Sequence, residues 1–476
     1  MQIQKGSITI FSLISLMLVG ATLFALLEVA RYQEIRRFAG LQTEAALESA
    51  FANYNSCLWE NYHLLGTDSR FVGTVMQEST ASAAKGENNW LQITPVKISL
   101  ERCMRLTDGN GMVFLQSVSA YMKENILYES LKELYSQYEA IKNLLEKSEM
   151  NFDNVGEAIE EMKSTEAKET LSSVGTTGGG TFDVLDVLEK VANWQQKGIL
   201  ELMLKDTEVV SEAGEDFSDG VLIRELRVGN MPISWERDWT DRVLLQQYLL
   251  TYLSNFRTTL SRRALNYEIE YLLAGKTSDV ANLKVVVGKL LAIREAANFL
   301  YLVSDPQSVA KAEAMAGVYM GVTLNPVLAQ VVKLGLLTAW AFVESILDVR
   351  ALLAGKKIPL LKSEKNWTSQ LENLSTLMDG FPMAKDSDWG LGYEDYLGIL
   401  LLFEEESKLA MHTLNLQEAS IQKTYGDTTF GIDTLITQAE VTFSYQYQSI
   451  FPFLDIVNAG EKWKKSLEAQ ASYNYY

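Results

Sequence analysis

Few residues of this chain have the types and spacing that support catalysis. His63 and His412 are its two histidines, so a Ser-His-Asp triad would have to use one of them, and no Gly-x-Ser-x-Gly elbow is present. The sequence also has no paired-cysteine zinc pattern, no His-Glu-x-x-His and no Gly-x-x-x-x-Gly-Lys-Ser/Thr phosphate loop. We therefore predict no catalytic residues, no metal site and no cofactor, and that the protein is not an enzyme.

Glu404, Glu405 and Glu406 are the densest run of acidic residues that could bind a metal ion. Consecutive residues of a helix point about 100° apart, so the three carboxylates cannot converge on one ion without other ligands. We interpret the run as a solvent-exposed face.

The segment Trp59-Glu60-Asn61-Tyr62-His63 combines aromatic and polar side chains. It could line a ligand pocket. We favour an anchor that docks against the rest of the domain, because aromatic side chains dominate such contacts. Trp59 and Tyr62 are therefore candidate interaction residues.

Cys57 and Cys103 are the only cysteines. Two are too few for a disulfide scaffold. They could form one bridge in an oxidising compartment, or they could be two small buried apolar residues.

The composition is that of a folded, acidic, helical protein. The 476 residues are 47% hydrophobic and 22% charged, which suffices for one large or two medium cores, and the net charge is −19. A nucleic-acid partner is not expected, because phosphate binding needs clustered Lys and Arg. Seven prolines and many Leu, Ala, Glu and Lys residues predict a mostly helical fold.

Residues 6–27 contain no charged side chain. A bilayer core of roughly 30 Å needs about 20 such residues in a helix, so the segment predicts a transmembrane anchor. A cleaved signal peptide is the alternative, since Val19 and Ala21 fit a small-residue cleavage pattern. The apolar run continues to Leu27, which is long for a signal core and favours a permanent anchor.

The charges beside this span bear on orientation and on interactions. Lys5 precedes it and Arg31, Arg36 and Arg37 follow, which by the positive-inside rule places the large domain in the cytoplasm, although long domains can translocate regardless of flanking charge. Glu28 could pair with Arg31 three residues on, or meet a neighbouring subunit within the membrane. We take Glu28 and Arg31 as candidate interaction residues.

The helical pattern continues beyond the span. From Glu28 to about Tyr62 there is no proline and one glycine, and one face is apolar. The sequence predicts a single helix of roughly 50 residues that is held in lipid at one end and packs on the domain at the other.

Four short segments are not helical in pattern. Alternation predicts strands at 91–100, where Pro95 suggests a sheet edge, at 221–228 and at 440–445. Residues 108–111, Asp-Gly-Asn-Gly, predict a turn.

A heptad seam follows this turn, and it predicts a coiled-coil contact. Its apolar positions repeat at spacings of four and three and are candidate interaction residues: Leu127, Leu131, Leu134, Tyr138, Ile141 and Leu145. A glycine-rich linker at 172–180 and an amphipathic helix at 182–204 would complete a helical hairpin. An ordinary buried helix is an equally good interpretation.

The stretch 240–354 is almost wholly helical in pattern, with helices near 279–302 and 307–323 separated by Ser304-Asp305-Pro306. Residues 327–347 are a second candidate span. Their polar residues fall on one stripe of the helix, which includes Lys333, Glu344 and Asp348, so we predict a core helix with one wet edge. A further helix is predicted near 392–415.

We therefore predict a mostly α fold with a minor α+β component. It comprises a transmembrane helix that continues as a long helix, a large helical domain, a few antiparallel strands and the helical hairpin. The predicted segments are the anchor and long helix at 1–65, the strand and heptad region at 66–220, the helical core at 221–460 and a frayed tail at 461–476.

Several stretches resemble an uncharacterised membrane-protein family of Gram-positive bacteria, whose members are encoded beside Tad-type pilus and type II secretion-like genes. The resemblance extends over most of the chain: Lys5–Phe11, Leu27–Arg31, Glu44–Tyr54, Leu58–Glu60, Tyr271–Lys276, Ile293–Ala296 and Ala339–Ser345. It implies a cellular context and no catalytic residues.

The first 50 or so residues also resemble the TadE/TadG minor pseudopilins, in their glycine, apolar helix and late Glu-x-x-Arg. Processed pilins place Glu at the fifth position after the cleavage glycine, and counted from Gly6 that position is Phe11. Pilin-type cleavage after Gly6 is therefore not predicted.

Two hypotheses of function follow. The first is a single-pass, extracytoplasmic, pseudopilin-like component of a Tad-like pilus or secretion system, with membrane lipid and Tad-type subunits as partners and a homo-oligomer as a further option. The alternative is a ligand-binding or sensor ectodomain on a single-pass anchor.

Overall fold

The computed structural model describes residues 4–84, 91, 93–125, 139, 190–191, 193–194, 198–205, 209–323, 326–377, 380–448 and 464–476. The chain forms two compact units. Unit 1 comprises Met1–Tyr121, Arg224–Glu236 and Thr429–Tyr476, and unit 2 comprises Met122–Ile223 and Arg237–Thr428. The segment boundaries predicted from composition stay predictions.

Unit 1 is built from a long helix on an antiparallel sheet. Its elements are α1 (Gln4–Ala52), α2 (Ser56–Tyr62), β1 (Thr67–Asp68), α3 (Ser69–Ala84), β2 (Ile93–Arg105), α4 (Asp108–Asn125, whose end lies in unit 2), β3 (Leu435–Gln448) and β4 (Lys464–Asn474).

The long helix ends earlier than its sequence pattern predicts. It stops at Ala52, whereas the prediction placed its end near Tyr62. Asn55 causes the break, because its side chain accepts a hydrogen bond from the amide of Leu58 at 2.9 Å and caps α2. Asparagine side chains compete for backbone groups in this way and favour helix starts over helix interiors.

The sheet has β3 at its centre. β2 pairs with one side of β3, and β4 and the short β1 pair with the other, all antiparallel. The strands predicted at 91–100 and 440–445 are confirmed and are longer than predicted. Pro95 lies on β2, which pairs only with β3 among the described strands, and an edge strand tolerates a residue without an N–H group.

Two further expectations for this region are wrong. The tail predicted to fray forms β4, which pairs residue by residue with β3 from Lys464 opposite Gln448 to Asn474 opposite Gln438. The strand predicted at 221–228 is a turn and an irregular segment. There the amide of Arg227 and the side chain of Arg224 bind the Asp433 carboxylate instead of joining a sheet.

The turn predicted at 108–111 is confirmed. Gly109, Asn110 and Gly111 all have positive φ, a conformation that glycine and asparagine adopt most easily. Asp108 accepts hydrogen bonds from the amides of Arg105 and Gly229, at 2.7 and 2.9 Å, and so fixes the turn to the end of β2.

Unit 2 is helical. Its helices are α5 (Ile199–Met203), α6 (Trp239–Tyr252), α7 (Glu268–Ala274), α8 (Asp279–Ser304), α9 (Pro306–Thr323), α10 (Pro326–Leu353), α11 (Leu374–Leu377), α12 (Tyr393–Phe403) and α13 (Glu406–Tyr425). α8 and α9, separated at Asp305 as predicted, pack on α10. The helix predicted near 392–415 is two helices, which separate at Glu404 and Glu405.

The second candidate span is α10. It is the predicted core helix. The expected wet edge exists only near the start of the helix, where Gln330 is exposed, because Glu344, Ser345 and Asp348 are fully buried. Only α1, among helices in the described part of the chain, is long and apolar enough to cross a membrane. The polar stripe of α10 instead faces buried partners of opposite charge, described below.

The predicted fold class, mostly α with a minor antiparallel sheet, is confirmed. The heptad seam, the linker at 172–180 and most of the predicted hairpin lie outside the described residues.

Candidate functional site

The first half of α1 presents an exposed apolar surface. None of the residues in its most apolar 18-residue window is buried. Leu16 and Leu26, for example, expose 70% and 66% of their surface. The charge-free segment 6–27 extends about 33 Å at 1.5 Å per residue, which matches the hydrocarbon core of a bilayer. This half of the helix is compatible with a membrane anchor.

Glu28 and Arg31 lie where this apolar surface ends. Arg31 Nη1 and Glu28 Oε1 form a salt bridge of 3.2 Å, the intrahelical pairing that the sequence suggested. Arg31 Nη2 also donates to the carbonyl oxygen of Leu91 at 2.7 Å. The pair therefore ties the exit of the apolar segment to the residues just before β2.

The second half of α1 packs on the sheet. Its buried side chains include Ile35, Ala39, Leu47 and Phe51, and they meet the inward-facing side chains of β3 and β4 in one apolar core. Polar contacts fix the register, since the Thr43 hydroxyl bonds the Tyr445 hydroxyl at 3.0 Å. The helix is thereby held against strands that lie about 400 residues away in sequence.

Aromatic side chains fix the end of α1. The ring of Phe51 lies 4.6 Å from that of Tyr473 and 5.1 Å from that of Tyr475. The Tyr475 hydroxyl donates to the carbonyl oxygen of Phe51, and the Tyr476 hydroxyl accepts from the Leu65 amide at 2.6 Å. The segment from 473 to 476 thus holds both α1 and the end of α2.

Trp59 and Tyr62 occupy different environments in α2. Tyr62 is fully buried. The ring of Trp59 is half-buried and contacts those of Tyr54, His63 and Tyr121, at centroid distances of 6.3, 5.6 and 6.4 Å. These rings pack on one another within unit 1, which fits the docking interpretation better than a pocket.

The remaining predicted interaction residues are those of the heptad seam. Leu127, Leu131, Leu134, Tyr138, Ile141 and Leu145 lie outside the described residues. Their role stays a prediction.

A polar groove crosses the other face of the sheet. It encloses about 690 Å³ and is lined by residues of β2, β3 and β4, among them Arg102, Glu440, Thr442, Glu468 and Gln470. Arg102 and Glu440 form an ion pair of 2.6 Å across the β2–β3 ladder. The lining of the groove is mostly polar, which suits a polar ligand.

Unit 2 contains a buried charge network that sequence reasoning did not foresee. Arg294 of α8 and Asp348 of α10 are both fully buried, and Arg294 Nη2 lies 2.9 Å from Asp348 Oδ2. Arg294 Nη1 donates to the carbonyl oxygen of Leu360 and to the Tyr396 hydroxyl, each at 2.8 Å. One guanidinium therefore joins α8, α10, α12 and the loop after α10.

Lys362 completes the network. Its buried ammonium contacts the carboxylates of both Glu344 and Asp348. Glu344 Oε2 also accepts from the amide and the hydroxyl of Ser369, at 2.8 and 2.6 Å. Two acids and two bases thus balance each other in a site without solvent, an arrangement that fixes neighbouring elements and leaves no group exposed for chemistry.

Glu270 of α7 is a further buried carboxylate, and it forms no salt bridge with the basic side chains that the structure describes. Its Oε1 accepts from the Tyr393 hydroxyl at 2.6 Å and from the Phe256 amide at 2.9 Å. Burial raises the pKa of Glu270 to about 7, although these hydrogen bonds favour the charged form and oppose the shift.

Of the acidic run that we predicted to be a solvent-exposed face, only Glu405 is exposed. Glu404 is largely covered and pairs with Lys289 and Lys408, each at 2.6 Å. Glu406 is also largely covered and pairs with Arg237. Both carboxylates are engaged by basic side chains of neighbouring elements.

The cysteines are both free and buried, so the structure contains the two small apolar residues and not the bridge. Among the described residues, no group of three or more His, Cys, Asp or Glu side chains is arranged to hold a metal ion.

The sequence did carry a signal for the buried network. Arg294 lies within Ile293–Ala296 and Glu344 within Ala339–Ser345, two of the stretches that resemble the membrane-protein family. A charged residue within an apolar helical pattern is expected to be buried and therefore paired. When a second helix carries such a residue of opposite sign, the two are candidates for a buried ion pair. The partners themselves could not be paired from sequence.

Comparison with known proteins gives one result. A family model described as a family of unknown function, DUF5702, matches residues 182–447, which include most of unit 2 and exclude α1. Curated proteins and solved structures gave no match. Since the matched range covers more than half of the 476 residues, this chain belongs to the DUF5702 family of unknown function.

Proposed function

We propose that this protein is a single-pass, membrane-anchored structural component of a Tad-like pilus or secretion system, with its two units on the extracytoplasmic side. In this role it acts by binding other subunits and not by catalysis. The observation that carries the proposal is α1, one uninterrupted helix whose first half is apolar and uncovered and whose second half packs on a sheet.

Such a helix determines where the folded unit lies relative to the membrane. A rigid helix that leaves the bilayer and enters a packed core fixes the height and direction of that core, which a flexible linker would not do. The resemblance of the first 50 residues to TadE/TadG minor pseudopilins supports the same role. Assembly subunits need this kind of geometry because their contacts must repeat.

The chemistry of the buried polar groups is also consistent with a structural role. Arg294, Glu344, Asp348 and Lys362 neutralise one another, and Glu404 is paired with two lysines. Groups that do catalysis must reach a substrate, whereas these groups are used to hold helices together.

Site-directed photocrosslinking tests the proposal. A photoreactive residue at Leu23, which is 57% exposed on the apolar half of α1, is expected to capture Tad-type pilin or secretion subunits in membranes of cells that express those genes. The matched control is Leu47, which is buried against the sheet and should capture only its own chain. Capture of lipid alone from Leu23, in cells that contain the Tad-type subunits, would contradict the proposal.

The competing function is a ligand-binding or sensor ectodomain, and the polar groove of about 690 Å³ on the sheet favours it. A polar ligand there would raise the melting temperature of the full chain in detergent. Arg102→Ala would abolish that shift, since Arg102 lines the groove. A shift with this dependence would support the sensor over the assembly role.

A further inference from the structure

One end of the sheet lies beside the point where α1 leaves its apolar segment. Ile93 of β2, Tyr447 of β3 and Lys465 of β4 are aligned across this end. The ring of Tyr447 lies 6.0 Å from the ring of Tyr32 on α1. We call this end, together with the residues of α1 beside it, the basal rim of unit 1.

The height of the basal rim above the hydrocarbon follows from helix geometry. Arg31 and Tyr32 are four and five residues beyond Leu27, which places them about 6 to 8 Å beyond the apolar segment at 1.5 Å per residue. The headgroup layer of a bilayer occupies roughly 5 to 8 Å on each side of the core. With α1 in a membrane, the basal rim therefore meets the headgroups.

The charge of the basal rim is opposite to that of the chain. The whole protein carries a net charge of −19. The charged residues of the rim and of the next two turns of α1 are five basic and two acidic: Arg31, Arg36, Arg37, Lys464, Lys465, Glu28 and Glu34. Arg36, Arg37 and Lys465 are exposed.

The residue types at this level match a lipid surface in two respects. Tyrosine is enriched at the membrane–water interface, because its ring is apolar and its hydroxyl is polar. Basic side chains that lie within a Debye length of about 8 Å are attracted to anionic phosphates. Arg36 and Arg37, about 14 to 15 Å beyond Leu27, lie within that distance of the headgroup layer.

We propose that the basal rim of unit 1 binds the headgroups of anionic phospholipids, with Arg36, Arg37 and Lys465 as the residues whose charges attract the phosphates. One end of the sheet then contacts the bilayer surface. Unit 1 is thereby bound to the membrane at two places, the transmembrane part of α1 and the basal rim. The inference rests on the membrane anchor within the proposed function and is independent of any pilus role.

Hydrogen–deuterium exchange of the full chain tests this inference. The protein is placed in nanodiscs of phosphatidylcholine alone and in nanodiscs that also contain phosphatidylglycerol. Backbone amides of residues 465–468 are expected to exchange more slowly in the anionic discs, by about fivefold for each basic side chain held near the surface. Amides of residues 471–474, at the other end of β4, should not change.

A pair of charge-reversal variants supplies the control. Arg37→Glu with Lys465→Glu should remove the dependence on phosphatidylglycerol. Arg70→Glu with Arg227→Glu reverses two charges elsewhere in unit 1 and should keep it. The side chain of Arg227 is 58% exposed and lies beside Asp433, which precedes β3 at the end of the sheet away from the rim.

Equal exchange of residues 465–468 of the unaltered protein in the two kinds of disc would overturn the inference, and that comparison needs no variant. An equal effect of both variant pairs would also overturn it. Failure to crosslink to Tad-type subunits would leave it intact, so the two proposals fail separately.

Discussion

Glu270 is a buried carboxylate that accepts hydrogen bonds from Tyr393 and Phe256 and forms no salt bridge with the described basic residues. Its charged form, which predominates at high pH, therefore lowers the stability of the folded protein. Its pKa is raised from an ordinary 4.5 to about 7 by burial. The folded state therefore binds the proton more tightly than the unfolded state. This tighter proton binding stabilises the folded state fully below pH 4.5, and the stabilisation is lost as the pH rises through about 7.

We expect Glu270→Gln to be more stable than the unaltered protein at pH 8, by up to about 3 kcal/mol, and nearly equal to it at pH 4.5. Gln keeps an oxygen that can accept from Tyr393 and Phe256, and it carries no charge. Urea unfolding at a series of pH values measures the difference. Burial also raises the pKa of Glu295 to about 7, so the comparison between the two proteins, and not either curve alone, isolates Glu270. A variant that is less stable at pH 8 would contradict this account.

Within the charge network, we expect a single substitution to lower the free energy of unfolding more than its share of a paired substitution does. Arg294→Met should cost about 3 to 5 kcal/mol, because it leaves Asp348 and Glu344 with one cation in a site without solvent. Arg294→Met combined with Asp348→Leu should cost less than the sum of the single changes, since a neutral pair remains.

Denaturant unfolding measures these costs, and an exposed pair supplies the control. Lys408→Met removes one of the two lysines bound to Glu404, and it should cost under about 1 kcal/mol because the pair is partly exposed. Strict additivity of the Arg294 and Asp348 effects would show that the two residues do not act as a unit.

At the level of elements, the docking of α1 on its sheet determines the stability of unit 1. Phe51 is fully buried and packs against the rings of Tyr473 and Tyr475. Phe51→Ala should cost about 3 to 5 kcal/mol, as expected for removal of a buried aromatic ring. Phe38→Ala is the matched control, because Phe38 is 37% exposed on the same helix and its loss should cost under about 1 kcal/mol.

Limited proteolysis of the detergent-solubilised chain shows which of the two units unfolds locally in the Phe51→Ala variant. Cleavage should increase within β3 and β4 and not within α8 or α10. Equal protection of β4 in Phe51→Ala and in the unaltered protein would show that the ring does not hold the strand.

The elements that sequence predicted well are those whose pattern is local. The apolar segment of α1, the helices α8 and α9 and the turn at 108–111 each depend on residues close in sequence. β4 was missed although its apolar residues alternate strictly, because alanine, lysine and glutamate have low strand propensity. Its apolar face, which includes Ala469 and Ala471, gains its partners only from the core that α1 and β3 form. The prediction for 221–228 was wrong for a different reason. The segment has local strand propensity, but its hydrogen bonds to the Asp433 carboxylate hold it outside the sheet.

The candidate site was predictable in part for the same reason. Glu28 and Arg31 are one helical turn apart, so their pairing could be read from spacing. Arg294, Glu344, Asp348 and Lys362 come from two helices and a loop, so their pairing depends on how α8 and α10 cross. The wet edge predicted for α10 is present at Gln330 and absent at Glu344 and Asp348, because the sequence does not show which basic side chains pair with these two carboxylates.

At the scale of the whole molecule, the question is which side of the membrane the two units occupy. Thr428→Cys introduces a thiol at an exposed position, while Cys57 and Cys103 are buried. We expect a membrane-impermeant maleimide to label this cysteine in intact cells, because the proposed role requires the units outside. The unaltered protein is the control for background labelling.

Labelling of Thr428→Cys only after the cells are opened would place the units in the cytoplasm, the side that the arginines after the span indicate by the positive-inside rule. That result would exclude the extracytoplasmic assembly role and leave the anchor intact.

The position of β4 in the chain has a consequence for biosynthesis. The ribosome makes α1 first, yet the strands on which its second half rests are translated roughly 400 residues later, and at about 5 to 20 residues per second this takes some 20 to 80 seconds. Throughout that interval Ile35, Leu47 and Phe51 have no partner from β3 or β4, while the helices between residues 237 and 428 can already fold. The nascent chain therefore has a period in which the face of α1 that will later meet β3 and β4 is open to a chaperone or to the lipid surface.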